Sequence, residues 1–528
     1  MNRWKFWSLI LLVIAAGLLI GNWLGKGAAG AERTAGASPT SDSKRTRPLD
    51  DPRPPAARTG DRDEDGGTAT DPDAPEGAIP GQRTVTFASA EAMRRFLASL
   101  EGTGIVVLGS IDALNTLRLG VRDASALAAL LDGSEEIGYI FPAEIPGKAS
   151  FQQDATPFGR DFLKWLGADG DRTTWGDGVR IAVLDTGVIA DPAFAHRVIS
   201  SNLVALPDDP STMNSHGTAV AALIAGIDGL APGASILDYR IARDDGTSDT
   251  FLIAQAILAA TDAGADIINI SLGAAGRSVL LEQAVNYASQ AGVVVVASAG
   301  NNGLDYLFYP AAYENVVGVG AVDARGEHLL FSNTGETSIV APGLALNSTA
   351  GNGTPISFSG TSASSPVVAG AIAAVMTQQQ TNASNAWQQV QSSANEAGAP
   401  GNDPAYGAGI LDVGRTLNSK VPGISDAALA ANYVTTNPQG NPIVQVTVEN
   451  RGTAPIVNAP VTVSTPMGVS QLNVTTLAPG AIQTFELPLG SSDQGFRIES
   501  SVGLSGGTID QNPANNRRID VVVPQESP

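Results

Sequence analysis

Apolar residues are distributed in four distinct ways along this chain of 528 residues. The first is a mostly unbroken run over 6–20, resumed after Gly21-Asn22 as far as Leu24, with Arg3 and Lys5 before it and Lys26 after it. A basic start and an apolar stretch of this length fit a secretory signal, with Ala29-Gly30-Ala31 as its small-residue cleavage site. They fit equally a membrane anchor, with Trp4, Trp7 and Trp23 at the two interfaces. Under either reading of 1–30 the rest is extracytoplasmic, secreted or anchored by an N-terminal helix in or through the membrane. Over 31–82 large apolar residues almost disappear among Pro, Gly, Asp, Arg and Thr. Such a stretch cannot offset the entropy of ordering, and it is expected to be a disordered linker.

The second pattern covers 83–149. Strand-like runs at 84–87, 105–108, 116–121 and 137–141 are interrupted by Met93, Phe96, Leu97 and Leu100 at helical spacing, and later by Leu127, Leu130 and Leu131. This βαββαβ order predicts a small α+β domain. The third pattern, over 150–420, has short and almost wholly apolar runs at 181–184, 236–241, 267–270, 293–297 and 316–320. Runs of that kind are strands buried on both faces. With helical stretches at 250–263 and 278–291 between them, they predict an α/β doubly wound parallel sheet. In the fourth, over 424–525, Val444, Val446 and Val448 alternate with polar residues, and Asn450-Arg451-Gly452, Pro479-Gly480 and Ser505-Gly506-Gly507 mark turns. An all-β, immunoglobulin-like antiparallel sandwich is expected there. No internal repeat is visible.

Charge and cysteine content narrow the function. Lys and Arg number 31 against 52 Asp and Glu, a net charge of −21. A surface of that sign repels nucleic acid and anionic lipid, so nucleic acid is not expected as a partner. The absence of cysteine excludes disulfides, zinc–thiolate centres and thiol catalysis. The acidic run at 61–66 begins like a calcium loop, but Pro72 stands where the loop's last ligand is required, so it reads as a solvated charge run. Asp244, Asp245 and Asp249 are likewise expected in a solvated acidic loop rather than a cation site, and no metal ligands are assigned.

Three segments of the 150–420 region carry chemistry. The buried run at 181–184 ends in Asp185-Thr186-Gly187, Ser215-His216-Gly217-Thr218 opens an apolar helix, and Gly360-Thr361-Ser362 opens another. Amide hydrolysis needs a nucleophile, a base beside it and a group orienting the base. Ser362 supplies the first, His216 the second and Asp185 the third. Asp185 ends its strand at the carboxyl edge, where open α/β sheets bind ligands. Ser362 at a helix N-terminus can aim its own N–H at a developing oxyanion, and the side-chain amide of Asn301, after the strand at 293–297, is the expected second donor. A turn-forming role is the alternative for Asn301. His196 and His328 lack such settings and are expected on the surface or in loops.

The order Asp…His…Ser and the residues around each resemble the subtilase family of serine endopeptidases. Asp185-Thr186-Gly187, His216-Gly217-Thr218, Ser271-Leu272-Gly273, Ala299-Gly300-Asn301, Ala341-Pro342-Gly343 and Gly360-Thr361-Ser362 with Ser365-Pro366 all carry the likeness, firmly over 175–415. It implies a subtilisin-like fold and an edge at Ser271, Leu272 and Gly273 that pairs with an extended protein or peptide substrate. It implies further substrate contacts at Ser298, Gly300 and Phe308. The 83–149 domain resembles the subtilisin propeptide, an intramolecular inhibitor and folding aid whose last strand occupies the cleft. The 424–525 segment resembles CARDB-like adhesion modules, through Val448-Glu449-Asn450-Arg451-Gly452, Leu477-Ala478-Pro479-Gly480 and Asn515-Asn516, with some surface partner implied. Ala219 and Ala363 depart from the family pattern, and the loop before Ala231-Pro232-Gly233 is too short for the calcium site many relatives carry. No cofactor is required by this reading, and calcium is unsupported.

In relatives a small residue occupies the position of Phe308, before Tyr309-Pro310. A phenyl ring there either shortens the primary specificity pocket, favouring small residues, or packs elsewhere. A relative-like propeptide would end near Ala149, giving cleavage between Ala149 and Ser150. The expected whole is therefore an exported endopeptidase made as a self-processing zymogen. The alternative is a membrane-tethered binding or scaffold protein with an inactive subtilase domain.

Overall fold

The computed structural model describes residues 33–34, 74–147, 149, 152, 154–194, 198–199, 215–490 and 495–522. The N-terminal apolar run, the acidic run at 61–66 and His196 lie outside the described residues. Among the described residues no helix is long and apolar enough to cross a membrane. Packed structure reaches into the stretch expected as a linker, since Ala78 and Ile79 pack on an apolar cluster and the Ile79 N–H donates to Ile140 O at 2.8 Å.

The N-terminal unit contains β1 (Gln82–Thr86), α1 (Ala90–Ala98), β2 (Val106–Ile111), β3 (Thr116–Gly120), α2 (Ala124–Ala128) and β4 (Glu136–Gly138). Its four strands pair antiparallel in the order β2-β3-β1-β4. Ser89 caps α1 by accepting from the Ala92 N–H, and Met93 and Phe96 face inward onto Val85, Leu117 and Leu119. The run at 137–141 is not one strand. It ends on its own sheet at Gly138 and continues as β5 (Pro142–Glu144), which belongs to another part of the molecule.

The central unit is a sheet of seven parallel strands: β6 (Arg180–Asp185), β7 (Val198–Ile199), β8 (Ser235–Arg240), β10 (Ile267–Ile270), β11 (Val294–Ser298), β12 (Val316–Val322) and β13 (Ile339–Pro342), in the order β13-β12-β11-β10-β6-β8-β7. All residues of β10, β11 and β12 are buried, as expected for strands covered on both faces. Helices α3 (His216–Ala225) and α6 (Thr361–Gln378) cover one face. The helices α4 (Thr250–Asp262) and α5 (Val279–Gln290) cover the other. A short strand, β9 (Thr247–Asp249), leads directly into α4, and Asp249 caps that helix through the N–H groups of Phe251 and Leu252.

Beyond residue 426 two antiparallel sheets enclose a separate apolar cluster built on Val444, Val446, Val448, Val461 and Ile498. One holds Ala427–Thr436, Pro442–Asn450 and Ile482–Pro488, and the other Ile456–Thr465, Gly468–Leu477, Phe496–Val502 and Arg517–Val522, with residues 33–34 added at its edge. A buried polar joint ties these sheets to the central unit. Glu449 accepts from the guanidinium of Arg415, from Arg451 Nε at 2.8 Å and from the Glu396 N–H at 3.1 Å. Burial pushes the Glu449 carboxyl up, but the Arg451 and Arg415 charges outweigh it and hold the group below its ordinary range. Removing one partner of a buried ion pair costs about 3–5 kcal/mol. Glu449→Ala is therefore expected to lose about that much unfolding free energy, and denaturant titration with separate probes on the two units would show both transitions moved down.

Candidate active site

Asp185 ends β6 in the interior of the parallel sheet and has no exposed surface. Its Oδ1 accepts from the Thr186 N–H at 2.7 Å and from Thr186 Oγ1 at 3.2 Å. His216, the first residue of α3, brings Nδ1 to 2.8 Å from Asp185 Oδ1 and 3.0 Å from Oδ2. A Cβ on Gly217 would stand 3.1 Å from Asp185 Cβ, so glycine after the histidine lets the helix start this close to the strand. The Gly217 N–H donates to Thr186 Oγ1 at 3.0 Å and fixes that approach.

Ser362 sits in the first turn of α6, and its Oγ is buried without a hydrogen-bond partner among the described residues. Phe358, four residues earlier, lies edge-on against the His216 ring, with centroids 5.2 Å apart. The helix start is braced from below, where Ser271 Oγ lies 3.1 Å from Ser365 Oγ and 3.4 Å from Ser362 O. Ser271 and Leu272 are fully buried. Their side chains therefore pack beneath the edge that is expected to pair with substrate through its backbone. Gly273 presents its backbone to the cleft, through paired hydrogen bonds with Glu144, each 3.0 Å.

Asn301 is oriented by its own oxygen, which accepts from the Thr361 N–H and from Thr361 Oγ1, both at 2.9 Å. That leaves Nδ2 as a donor, and it donates to the carbonyl of Gly147 at 3.0 Å. The expected cleavage position, Ala149, is two residues further on, and Ala149 packs instead near Ala321, Leu329 and Phe331. Gly300 has φ +112 and Gly360 φ +122, backbone conformations that glycine tolerates best. Ser298 is buried, its Oγ lacking a partner among the described residues, so it lies behind the cleft wall. Phe308 is 8% exposed; its side chain takes the space that a Cβ on Gly273 would need, and its ring would lie 3.3 Å from a Cβ on Gly300, where Asn333 is nearer still. The ring thus packs between the substrate edge and the Asn301 loop.

A second carboxylate behind the site escaped the sequence analysis. Asp238 on β8 is buried, with Oδ2 accepting from the Val188 N–H at 3.1 Å and Oδ1 unpartnered among the described residues. Its pKa rises to about 6, chiefly through burial and also through the charge of Asp185. An Asp inside an apolar strand run was the available signal, in Ile236-Leu237-Asp238. Two other expectations change. Asp249 is buried rather than solvated, capping α4 and pairing with Arg118 Nη1 at 2.9 Å. His328 is in a loop but half-buried against Tyr406, and burial lowers its pKa to about 4. No cluster of three metal-binding side chains occurs among the described residues.

Comparison with known proteins assigns the central unit to a family. The subtilase family model matches residues 176–409. Subtilisin BL of Lederbergia lenta is 39% identical over 254 residues, which are 46% of this chain and 91% of that protein. The chain belongs to the subtilase family of serine-type endopeptidases. A thermophilic serine proteinase of Bacillus sp. (strain AK1) is 41% identical over 247 residues, 45% of this chain and 61% of that subtilase. Subtilisin DY of Bacillus licheniformis is 35% identical over 250 residues, 45% of this chain and 90% of its own. A solved mutant structure of the protease domain of PatA is 32% identical and covers 46% of this chain and 94% of its own, with a TM-score of 0.42. The family model leaves both flanking units of the chain outside the residues it matches.

Two measurements test this geometry. A Cβ on Gly360 would stand 2.8 Å from Asn301 Nδ2 at a φ that disfavours side chains. Gly360→Ala should therefore lower kcat on a peptide substrate by about 10²-fold, the loss also expected of Asn301→Ala if its amide is the oxyanion donor expected from the sequence. Asp238 titrates higher in the folded chain than in the unfolded one, so its contribution to stability is complete below its ordinary pKa of 3.8 and is lost as pH rises through about 6. Asp238→Asn should flatten the fall in melting temperature across that window.

Proposed function

We propose that this chain is an exported serine endopeptidase made as a zymogen, with Asp185, His216 and Ser362 as its triad and the 83–149 unit as its intramolecular inhibitor. One observation carries this reading: the segment leaving the N-terminal unit occupies the cleft as an extended strand, with Gly147 O on the amide of Asn301. On one side β5 pairs antiparallel with β9, and on the other Glu144 pairs with Gly273. A substrate would lie the same way, held by backbone and read by side chains.

The chemistry follows from the groups in place. Ser362 Oγ attacks the carbonyl carbon, and its proton passes to Nε2 of His216 while Asp185 stabilises the resulting imidazolium through Nδ1. The carbonyl oxygen becomes an oxyanion, stabilised by the Asn301 amide and the Ser362 N–H. Collapse of the tetrahedral intermediate breaks the C–N bond, and His216 returns the proton to the departing amine. Water then hydrolyses the acyl-enzyme by the same relay. No cofactor enters this scheme. In self-processing the bond cut is the one that follows Gly147, two residues before the position expected from the sequence.

Export rests on the apolar run at the N-terminus, and the CARDB-like reading of the C-terminal sheets supplies a surface-binding role beside the peptidase. The decisive experiment is intact-mass analysis of the full chain beside Ser362→Ala. The native chain is expected to yield a fragment beginning at Lys148, and the variant to remain whole. Two intact chains, with no labelling of Ser362 by a fluorophosphonate, would favour the tethered binding protein.

A further inference from the structure

The strand in the cleft is anchored well before the carbonyl held by Asn301. Phe141, six residues before Gly147, is the anchor. Its N–H donates to Thr250 Oγ1 at 3.1 Å, and its carbonyl accepts from the Thr250 N–H at 3.0 Å. Its ring is 5% exposed and joins the apolar cluster of the central unit that includes Phe251, Ala274 and Leu280. The ring lies directly over Gly276, where any Cβ would overlap it. Between anchor and carbonyl the strand is held by backbone bonds, by the buried Ala143 and Pro146, and by Ile145, which packs on the edge of the same cluster. Ala143 is buried, Glu144 is exposed and Ile145 lies over Gly246, with its N–H bonded to Gly246 O at 3.0 Å.

We propose that the seat formed by Gly276 and Thr250 is a substrate subsite for an aromatic side chain six residues before the residue whose carbonyl is attacked. The inference rests on the peptidase reading above, and adds to it the class of sequence preferred. Thr250 is the first residue of α4, whose start is fixed by the Asp249 cap, and Asp249 is in turn paired with Arg118 of the N-terminal unit. Gly276 follows the edge that carries Gly273. The two walls of the seat are therefore continuous with the two edges that hold the strand. A seat on the same rails as the reacting carbonyl fixes the number of residues between them. Six residues of extended chain span about 20 Å, so recognition of the ring and cleavage of the bond are separate events on one peptide. When the N-terminal unit departs it takes Phe141 with it, and the seat is left open to the same chemistry in a substrate: an extended peptide with Phe, Tyr or Trp at that distance.

The test uses the processed protein obtained from the full chain, its sites counted by fluorophosphonate labelling. The substrates are internally quenched peptides carrying the sequence of 138–152. Replacing the Phe141 equivalent by Ala is expected to lower kcat/KM about tenfold or more, replacement by Trp to preserve it, and displacement of the Phe by one residue to act like Ala. In Gly276→Val the Phe and Ala peptides should be cut at rates within about twofold of each other, a ratio that needs no comparison between proteins. Equal cutting of the Phe and Ala peptides by the native enzyme would overturn the inference and leave the peptidase reading intact. The inference falls equally if only self-processing of Phe141→Ala is slowed, because the seat would then serve the N-terminal unit alone. Failure to cut any peptide, with no labelling of Ser362, would instead strike the peptidase reading itself.

Discussion

A carboxylate with no exposed surface must be compensated where it lies, and Asp185 is such a group. Its compensation comes from Thr186 and from the ring of His216, and much of the local architecture serves that contact. The strand must end where it does, α3 must begin at the histidine, and the next residue must lack a side chain for the helix to come near enough. The same constraint reaches Asp238, a second acid on the neighbouring strand whose raised pKa keeps a second charge away from Asp185 at low pH. A single electrostatic need thus links two strands, a helix start and a glycine.

The surroundings of Ser362 are organised by hydrogen bonds rather than charge. Thr361 orients Asn301, and Ser271 braces Ser365, so the helix start and the expected oxyanion donor move as one body. Preorganisation of this kind is worth most where the neighbours cannot relax, and the first four turns of α6 are buried almost throughout. Sequence motifs register that rigidity as short strings such as Gly-Thr-Ser, because each residue has only one acceptable neighbour.

Much of this was legible in the sequence, for physical reasons that can be named. The runs at 181–184 and 267–270 read as doubly buried strands because no polar residue interrupts them, and the structure agrees within a residue at each end. Asp185, His216 and Asn301 were found because each breaks an apolar or glycine-rich pattern at an element boundary. Side-chain direction was less accessible. Ser271 and Leu272 were expected in the edge that pairs with substrate, and the burial of both side chains, Ser271 against Ser365 and Leu272 in the apolar cluster on the other face of the sheet, depends on tertiary packing that the local sequence does not record. The run at 137–141 was read as one strand because its composition does not change where the chain leaves one sheet for another. Asp249 was taken for a solvated acid since its two partners, the start of α4 and Arg118, lie on different units of the fold.

The cleft holds its strand between two edges, β9 on one side and Gly273 on the other. A segment already paired in a sheet has at most one edge to offer, and a helix has none. Only chain with both backbone edges unpaired can enter. Within a folded protein such stretches are exposed by local opening, whose free energy varies widely along a structure. Resistance of a native target to this cleft would therefore follow how often its segments open, and less how many matching sequences it contains.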